Sequence, residues 1–152
     1  MIVLLIRHAK TQSGWPDFSR ELLPEGRERC RVNALWMAEQ KWIPERLLHS
    51  PARRTTQTAE LMAQQWPWGA CQVEEADLYE ADYRAYLRAI QDAAVQVLAV
   101  VGHNHEIGHL AYSWSECLID QFKPGAIAAF EWDEKKGPIA QTGPLNLLGQ
   151  WP

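Results

Sequence analysis

Apolar residues run unbroken from Ile2 to Ile6 and dominate Val95 to Val101, the pattern of central parallel strands covered on both faces. Arg46 to His49 and Cys71 to Glu75 read as shorter strands. Between these runs the spacing turns helical. Cys30, Ala34, Met37 and Ala38 share one face of a helix that starts at Pro24, where the missing N–H is harmless, although Leu23 before it is a poor N-cap. Ser50-Pro51 predicts a second helix start, with Ser50 capping and Pro51 in the first turn. Ala52, Ala59, Met62, Ala63 and Trp66 line its apolar face, and Pro67 ends it. Tyr83, Tyr86, Leu87 and Ile90 mark a third helix; Ile107, Leu110, Ala111 and Trp114 mark a fourth. Trp15 to Gly26, with two prolines and mixed charge, reads as a loop. Ala126–Trp132 and Pro138–Thr142 predict a closing hairpin around residues 133–137. Strands alternating with helices predict βαβ units. The expected class is α/β, a three-layer α/β/α sandwich with a mainly parallel central sheet, in a single domain over residues 1–152.

Composition narrows the function more than the fold. A chain of 152 residues buries about two thirds of the surface its unfolded form exposes, so it needs neither disulfide nor metal to hold together. The net charge is −4 and no long basic run occurs, which argues against an electrostatic grip on nucleic acid. Cys30, Cys71 and Cys117 fit no disulfide framework or metal-ligand spacing. They are expected to be buried, reduced thiols. The apolar start lacks a basic n-region and meets Arg7 early, unlike a signal peptide. No segment has the roughly 18 apolar residues of a membrane span. A cytoplasmic monomer without membrane attachment is expected. Eight tryptophans have no explanation at this level.

Three of the predicted strands end in reactive or anion-binding residues: Arg7-His8, Ser50-Pro51-Ala52-Arg53-Arg54, and Gly102-His103-Asn104. In an open α/β sheet, ligands bind beyond the carboxyl ends of the strands. One histidine at a strand end is ordinarily structural. Two histidines and at least two arginines at one sheet edge, beside a helix N-terminus, suit an anion, and phosphate is the natural occupant. Each arginine about 4 Å from a phosphoryl group contributes on the order of 4 kcal/mol at an effective dielectric of about 20, part of which desolvation cancels. Bidentate arginines also hold the charge that spreads over the equatorial oxygens in the transition state. An imidazole is a nucleophile when one nitrogen is deprotonated and aimed while the other is fixed by a hydrogen bond. His8 is placed for that role, and a protonated His103 would act as a further cationic clamp.

At these residues the chain resembles the histidine phosphatase superfamily, with its phosphoglycerate mutase-like fold, and within it the short SixA-like branch of phosphohistidine phosphatases. The resemblance runs from Met1 to about Trp132 and rests on LLIRHAK, LLPEGRERC, LHSPARRTTQTAE and AVVGHNHEIGHLA. It implies His8 as the residue phosphorylated during turnover and Arg7 as a phosphate ligand. It picks out Arg54 rather than Arg53, and assigns His103 to the pocket, with Asn104 beside it at the rim. His105-Glu106 stands where the branch usually has proline, and Glu21 replaces a common proline after the Asp17-Phe18-Ser19-Arg20 loop. Larger relatives carry an insertion that supplies a glutamate acid. Glu80 is the nearest candidate for a general acid or rim residue here, against a solvated position at a helix start. No cofactor and no metal are expected.

The resemblance implies a metal-independent phosphatase acting on a phosphorylated substrate, in particular a phosphohistidine-bearing signalling protein. The alternatives are a small-molecule phosphomonoesterase for a sugar phosphate or nucleotide, a non-catalytic phosphate-binding module, and an α/β domain that only mediates protein contacts. His49 and His109 read as structural or surface residues and Cys30 as a small core residue. Trp15 is a candidate roof for the pocket or a locally packed loop residue.

Overall fold

The computed structural model describes residues 1–67 and 69–152. Six strands form one sheet: β1 (Ile2–Arg7), β2 (Arg46–His49), β3 (Cys71–Glu74), β4 (Val97–Gly102), β5 (Ile127–Glu131) and β6 (Asn146–Trp151), in the order β3-β2-β4-β1-β5-β6. The first four in that order are mutually parallel, while β5 runs antiparallel to both β1 and β6. Helices α1 (Pro24–Glu39), α2 (Arg53–Ala63), α3 (Tyr83–Gln91) and α4 (Glu106–Trp114) complete the layers.

Strand alternation explains the two cores. Leu4 and Ile6 of β1 join Cys30, Ala34 and Met37 of α1 and Ala59 and Met62 of α2. Val3 and Leu5 point the other way, toward Tyr86 and Ile90 of α3 and Ile107, Leu110 and Trp114 of α4. Each face of the sheet therefore carries two helices, and all four β1 side chains are fully buried, worth roughly 1.5–3 kcal/mol apiece. No helix of the described residues is long and apolar enough to cross a membrane.

Helix α1 begins as its sequence predicts, with Pro24 at the first turn and Leu23 as an N-cap that makes no side-chain hydrogen bond. Helix α2 does not. Its N-cap is Ala52 and its first residue Arg53, so Ser50 and Pro51 lie in the turn before it. The Ser50 hydroxyl is committed elsewhere, as described below. The expected face is buried, Ala59, Met62 and Ala63 within α2 and Ala52 and Trp66 just outside it, but the helix ends at Ala63, short of Pro67.

The closing hairpin is the main correction. β5 pairs with Asn146–Trp151, not with Pro138–Thr142. Residues 134–136 and 139–141 form short 3-10 turns instead. Gln141 N–H bonds the Pro138 carbonyl at 2.8 Å, a local turn that competes with strand pairing. Cys71 and Cys117 are exposed free thiols, and only Cys30 is buried. Cys71 sits on the edge strand β3, where little covers it.

Three of the tryptophans have a visible purpose. Trp36 of α1 stacks on Trp151 of β6 with ring centroids 5.3 Å apart, and Trp42 packs edge-on against Trp36 at 5.5 Å. The Arg29 guanidinium lies 5.6 Å from the Trp151 ring centroid. This stack fastens the last strand to the first helix.

Candidate active site

Register places the strand exits side by side. Arg7 lies opposite Gly102 across β1 and β4, and His49 opposite Val101 across β2 and β4. The residues that follow, His8, His103 and Ser50, therefore leave the sheet at one edge. The His8 and His103 ring centroids are 5.5 Å apart.

His8 is 8 % exposed. Its Nδ1 lies 2.8 Å from the Ala9 carbonyl. A carbonyl only accepts, so the proton resides on Nδ1 and the Nε2 lone pair is free. Burial lowers the His8 pKa to about 4; the Ala9 bond opposes this, while the charges of Arg54, Arg7 and Arg20 assist. The ring is a neutral base at neutral pH.

The turn after His8 is clamped from two helices. Ala9 N–H donates to Thr58 Oγ1 at 3.1 Å, and that hydroxyl donates to the Arg54 carbonyl at 2.7 Å. From the other side, Gly26 of α1 packs onto Lys10 so closely that a Cβ there would overlap the Lys10 carbonyl.

His103 is 9 % exposed, with Nε2 2.8 Å from Ser50 Oγ and Nδ1 buried without a partner among the described residues. Burial, then the charge of Arg54, lowers its pKa to about 3. The ring is thus uncharged at neutral pH, unlike the protonated clamp considered from sequence; a bound phosphate dianion would push it back up. Its backbone N–H donates to the buried Tyr86 hydroxyl at 3.1 Å, and that hydroxyl lies 3.3 Å from the Leu78 carbonyl it donates to. A Cβ at Gly102 would overlap Tyr86, so glycine there admits the phenol beneath the pocket.

The arginines are held from behind. Arg7 Nη1 donates to the Phe122 carbonyl at 2.9 Å, and its Nε is buried without a partner among the described residues. Arg54 donates from Nη1 to the Asp17 carbonyl at 2.9 Å and from Nη2 to Asp17 Oδ2 at 3.0 Å. Asp17 also accepts from Arg20 at 3.0 Å and from the Tyr79 hydroxyl at 3.2 Å. Burial pushes the Asp17 carboxyl up, but the bonds from Arg20 and Arg54 outweigh it and hold the group below its usual range.

Arg54, His103, Asp17, Tyr79, Glu80 and Asn104 border a cleft of about 270 Å³. Asn104 is held by its Nδ2, which donates to the Phe122 carbonyl at 3.1 Å. Glu80 is exposed on the rim with φ at 52°. Arg53 turns outward to Glu21, 3.5 Å away. His49 is buried and His109 lies on α4 beside Tyr83. Trp15 is 89 % exposed and does not roof the pocket.

Sequence reasoning took Ser50 for a helix cap and gave no role to Tyr79 or Tyr86. The position of Ser50 at a strand exit was the one signal for it, but its partner His103 lies 53 residues away. Tyr86 carries only an apolar-face signal and Tyr79 none, and nothing local reveals where their hydroxyls point.

The Histidine phosphatase superfamily (branch 1) model matches residues 3–97, a span that includes His8 and Arg54 and ends before His103. No curated protein matches the chain. Among solved structures, one assigned as a phosphohistidine phosphatase SixA from Agrobacterium tumefaciens superposes with a TM-score of 0.83 at 24 % identity, covering 99 % of this chain and 97 % of that one. The protein histidine phosphatase SixA complexed with tungstate gives 0.80 at 26 %, covering 99 % and 96 %. One from Nakamurella multipartitia, assigned likewise, gives 0.82 at 19 %, covering 99 % and 95 %. The fold is thus phosphoglycerate mutase-like, and with the family model matching well over half its length, the chain belongs to the histidine phosphatase superfamily.

Proposed function

We propose that this enzyme is a phosphohistidine phosphatase working by double displacement on His8, in one domain spanning residues 1–152. His8 Nε2 attacks phosphorus in line, the leaving group departs, and water then releases inorganic phosphate. Arg7 and Arg54 hold the equatorial oxygens, and His103 joins them as the incoming charge raises its proton affinity. Positive charge comes from these side chains, so the scheme uses neither metal nor cofactor. Asn104 and Glu80 form the rim.

The observation that carries this reading is the pair of imidazoles 5.5 Å apart, with the His8 proton fixed on Nδ1 by the Ala9 carbonyl. A nucleophile with its lone pair free at neutral pH is what in-line attack requires. The substrate assignment draws on the likeness to the SixA structures. It fits a monomeric, cytoplasmic enzyme acting on a partner protein, with no contact to nucleic acid or membrane.

The test is labelling of the protein from a phosphohistidine-bearing domain. We expect an acid-labile, base-stable label that disappears in His8→Ala. A label that persists in that variant overturns the mechanism. Faster turnover of sugar phosphates or nucleotides than of the phosphorylated domain overturns the substrate class.

A further inference from the structure

The cleft brings the Arg54 guanidinium together with an acidic rim. Arg54, His103 and Asp17 border it together with Glu80 and Glu106. The three carboxylates are not equivalent. Asp17 is engaged by Arg20, Arg54 and Tyr79. Glu80 and Glu106 enter no ion pair among the described residues, although Arg54 borders the same cleft. Glu106 is half-buried in the first turn of α4, which fixes its position, while Glu80 stands on the rim between Tyr79 and Ala81.

An acidic rim opposes the entry of a substrate that is only anionic. It favours one whose phosphoryl group is accompanied by a positive charge. We infer that Glu80 and Glu106 select substrates that carry a positive charge beside the phosphoryl group, and that they pair with the protonated distal nitrogen of an N-phosphorylated imidazole. This rests on the proposed phosphohistidine reading and assigns the rim a part in it.

The chemistry balances without an acid from the protein. His8 Nε2 forms the new P–N bond, and the old P–N bond breaks with its electron pair passing to the leaving ring nitrogen. Because the distal nitrogen already carries a proton, the ring leaves as neutral imidazole. Carboxylates beside that nitrogen favour the protonated form, which is the better leaving group. The same carboxylates repel a phosphomonoester bearing its own carboxylate, which gives selectivity through repulsion as well as attraction.

The experiment compares kcat/KM for a phosphohistidine peptide, phenyl phosphate and 3-phosphoglycerate in the unmodified protein and in E80Q/E106Q. We expect the peptide-to-phenyl phosphate ratio to fall about tenfold in the double variant, the scale expected for losing two nearby charges in a wet cleft. The 3-phosphoglycerate-to-phenyl phosphate ratio should rise. Each single variant, E80Q and E106Q, should shift both ratios less and in the same directions. Ratios that stay constant while the unmodified protein hydrolyses the peptide overturn the rim's role and leave the His8 mechanism standing. If the unmodified protein neither hydrolyses the peptide nor takes up label on His8, the function itself is overturned and the inference with it.

Discussion

Ser50 Oγ lies 2.8 Å from His103 Nε2, joining the exits of β2 and β4 across 53 residues of sequence. The contact fixes the ring that faces His8. In Ser50→Ala the buried Nε2 loses its partner and the ring can rotate. A lost bond of this kind costs about 1 kcal/mol, so kcat/KM for phenyl phosphate should fall roughly five- to tenfold. Steady-state kinetics alongside a denaturant melt separate this from unfolding: unchanged kcat/KM with lowered stability would mean the contact is purely structural.

Tyr86→Phe should cost stability before it costs chemistry. The variant leaves the His103 N–H and the Leu78 carbonyl without the hydroxyl that serves both. An unsatisfied buried group costs about 1–3 kcal/mol, readable as a lower urea midpoint with an unchanged slope. Gly102→Ala should be worse, because the new methyl collides with the same ring.

Acid should destabilise the fold through the two pocket histidines. Their native pKa values, about 4 for His8 and about 3 for His103, lie below the unfolded value of about 6.5. The unfolded chain therefore binds protons first as pH falls. The stability they contribute is fully present above about pH 6.5 and is lost on acidification toward the native values. Between pH 7 and 5 the loss should be about 2 kcal/mol for each ring, and His8→Ala should show a correspondingly smaller loss by chemical denaturation. For the same reason, labelling of His8 should persist at pH 5, where an ordinary histidine is mostly protonated.

Asp17→Asn separates binding from orientation. The carboxylate is a fixed anion on Arg54, so removing its charge should strengthen inhibition by inorganic phosphate several-fold. Arg54 and Arg20 lose the anchor that aims them, and kcat should fall about tenfold. Stronger phosphate inhibition with an unchanged kcat would contradict the anchoring role.

The site was legible where chemistry follows an apolar run. His8 and His103 each stand just beyond a strand that the sheet register sets side by side, and Arg54 lies in the first turn of the helix that follows β2. Ser50 was misread because a serine before proline satisfies the local rule for a helix cap, whereas the competing partner, His103, is distant in sequence. The engagement of Asp17 by Arg54 and Tyr79 is equally non-local. β6 escaped notice for a different reason: it is an edge strand, half exposed, and follows two prolines. Its place is set by pairing with β5 and by the tryptophan stack against α1, both non-local.

The crowding of Gly26 against Lys10 has reach beyond helix packing. The Ala9 carbonyl that orients His8 belongs to the peptide unit just before the one Gly26 presses on. A methyl at position 26 would have to shove that segment outward, tilting the imidazole away from its line of attack. The distance of closest approach between α1 and this turn is therefore a gauge of aim, and a substitution that never meets substrate could silence turnover in a protein that still folds.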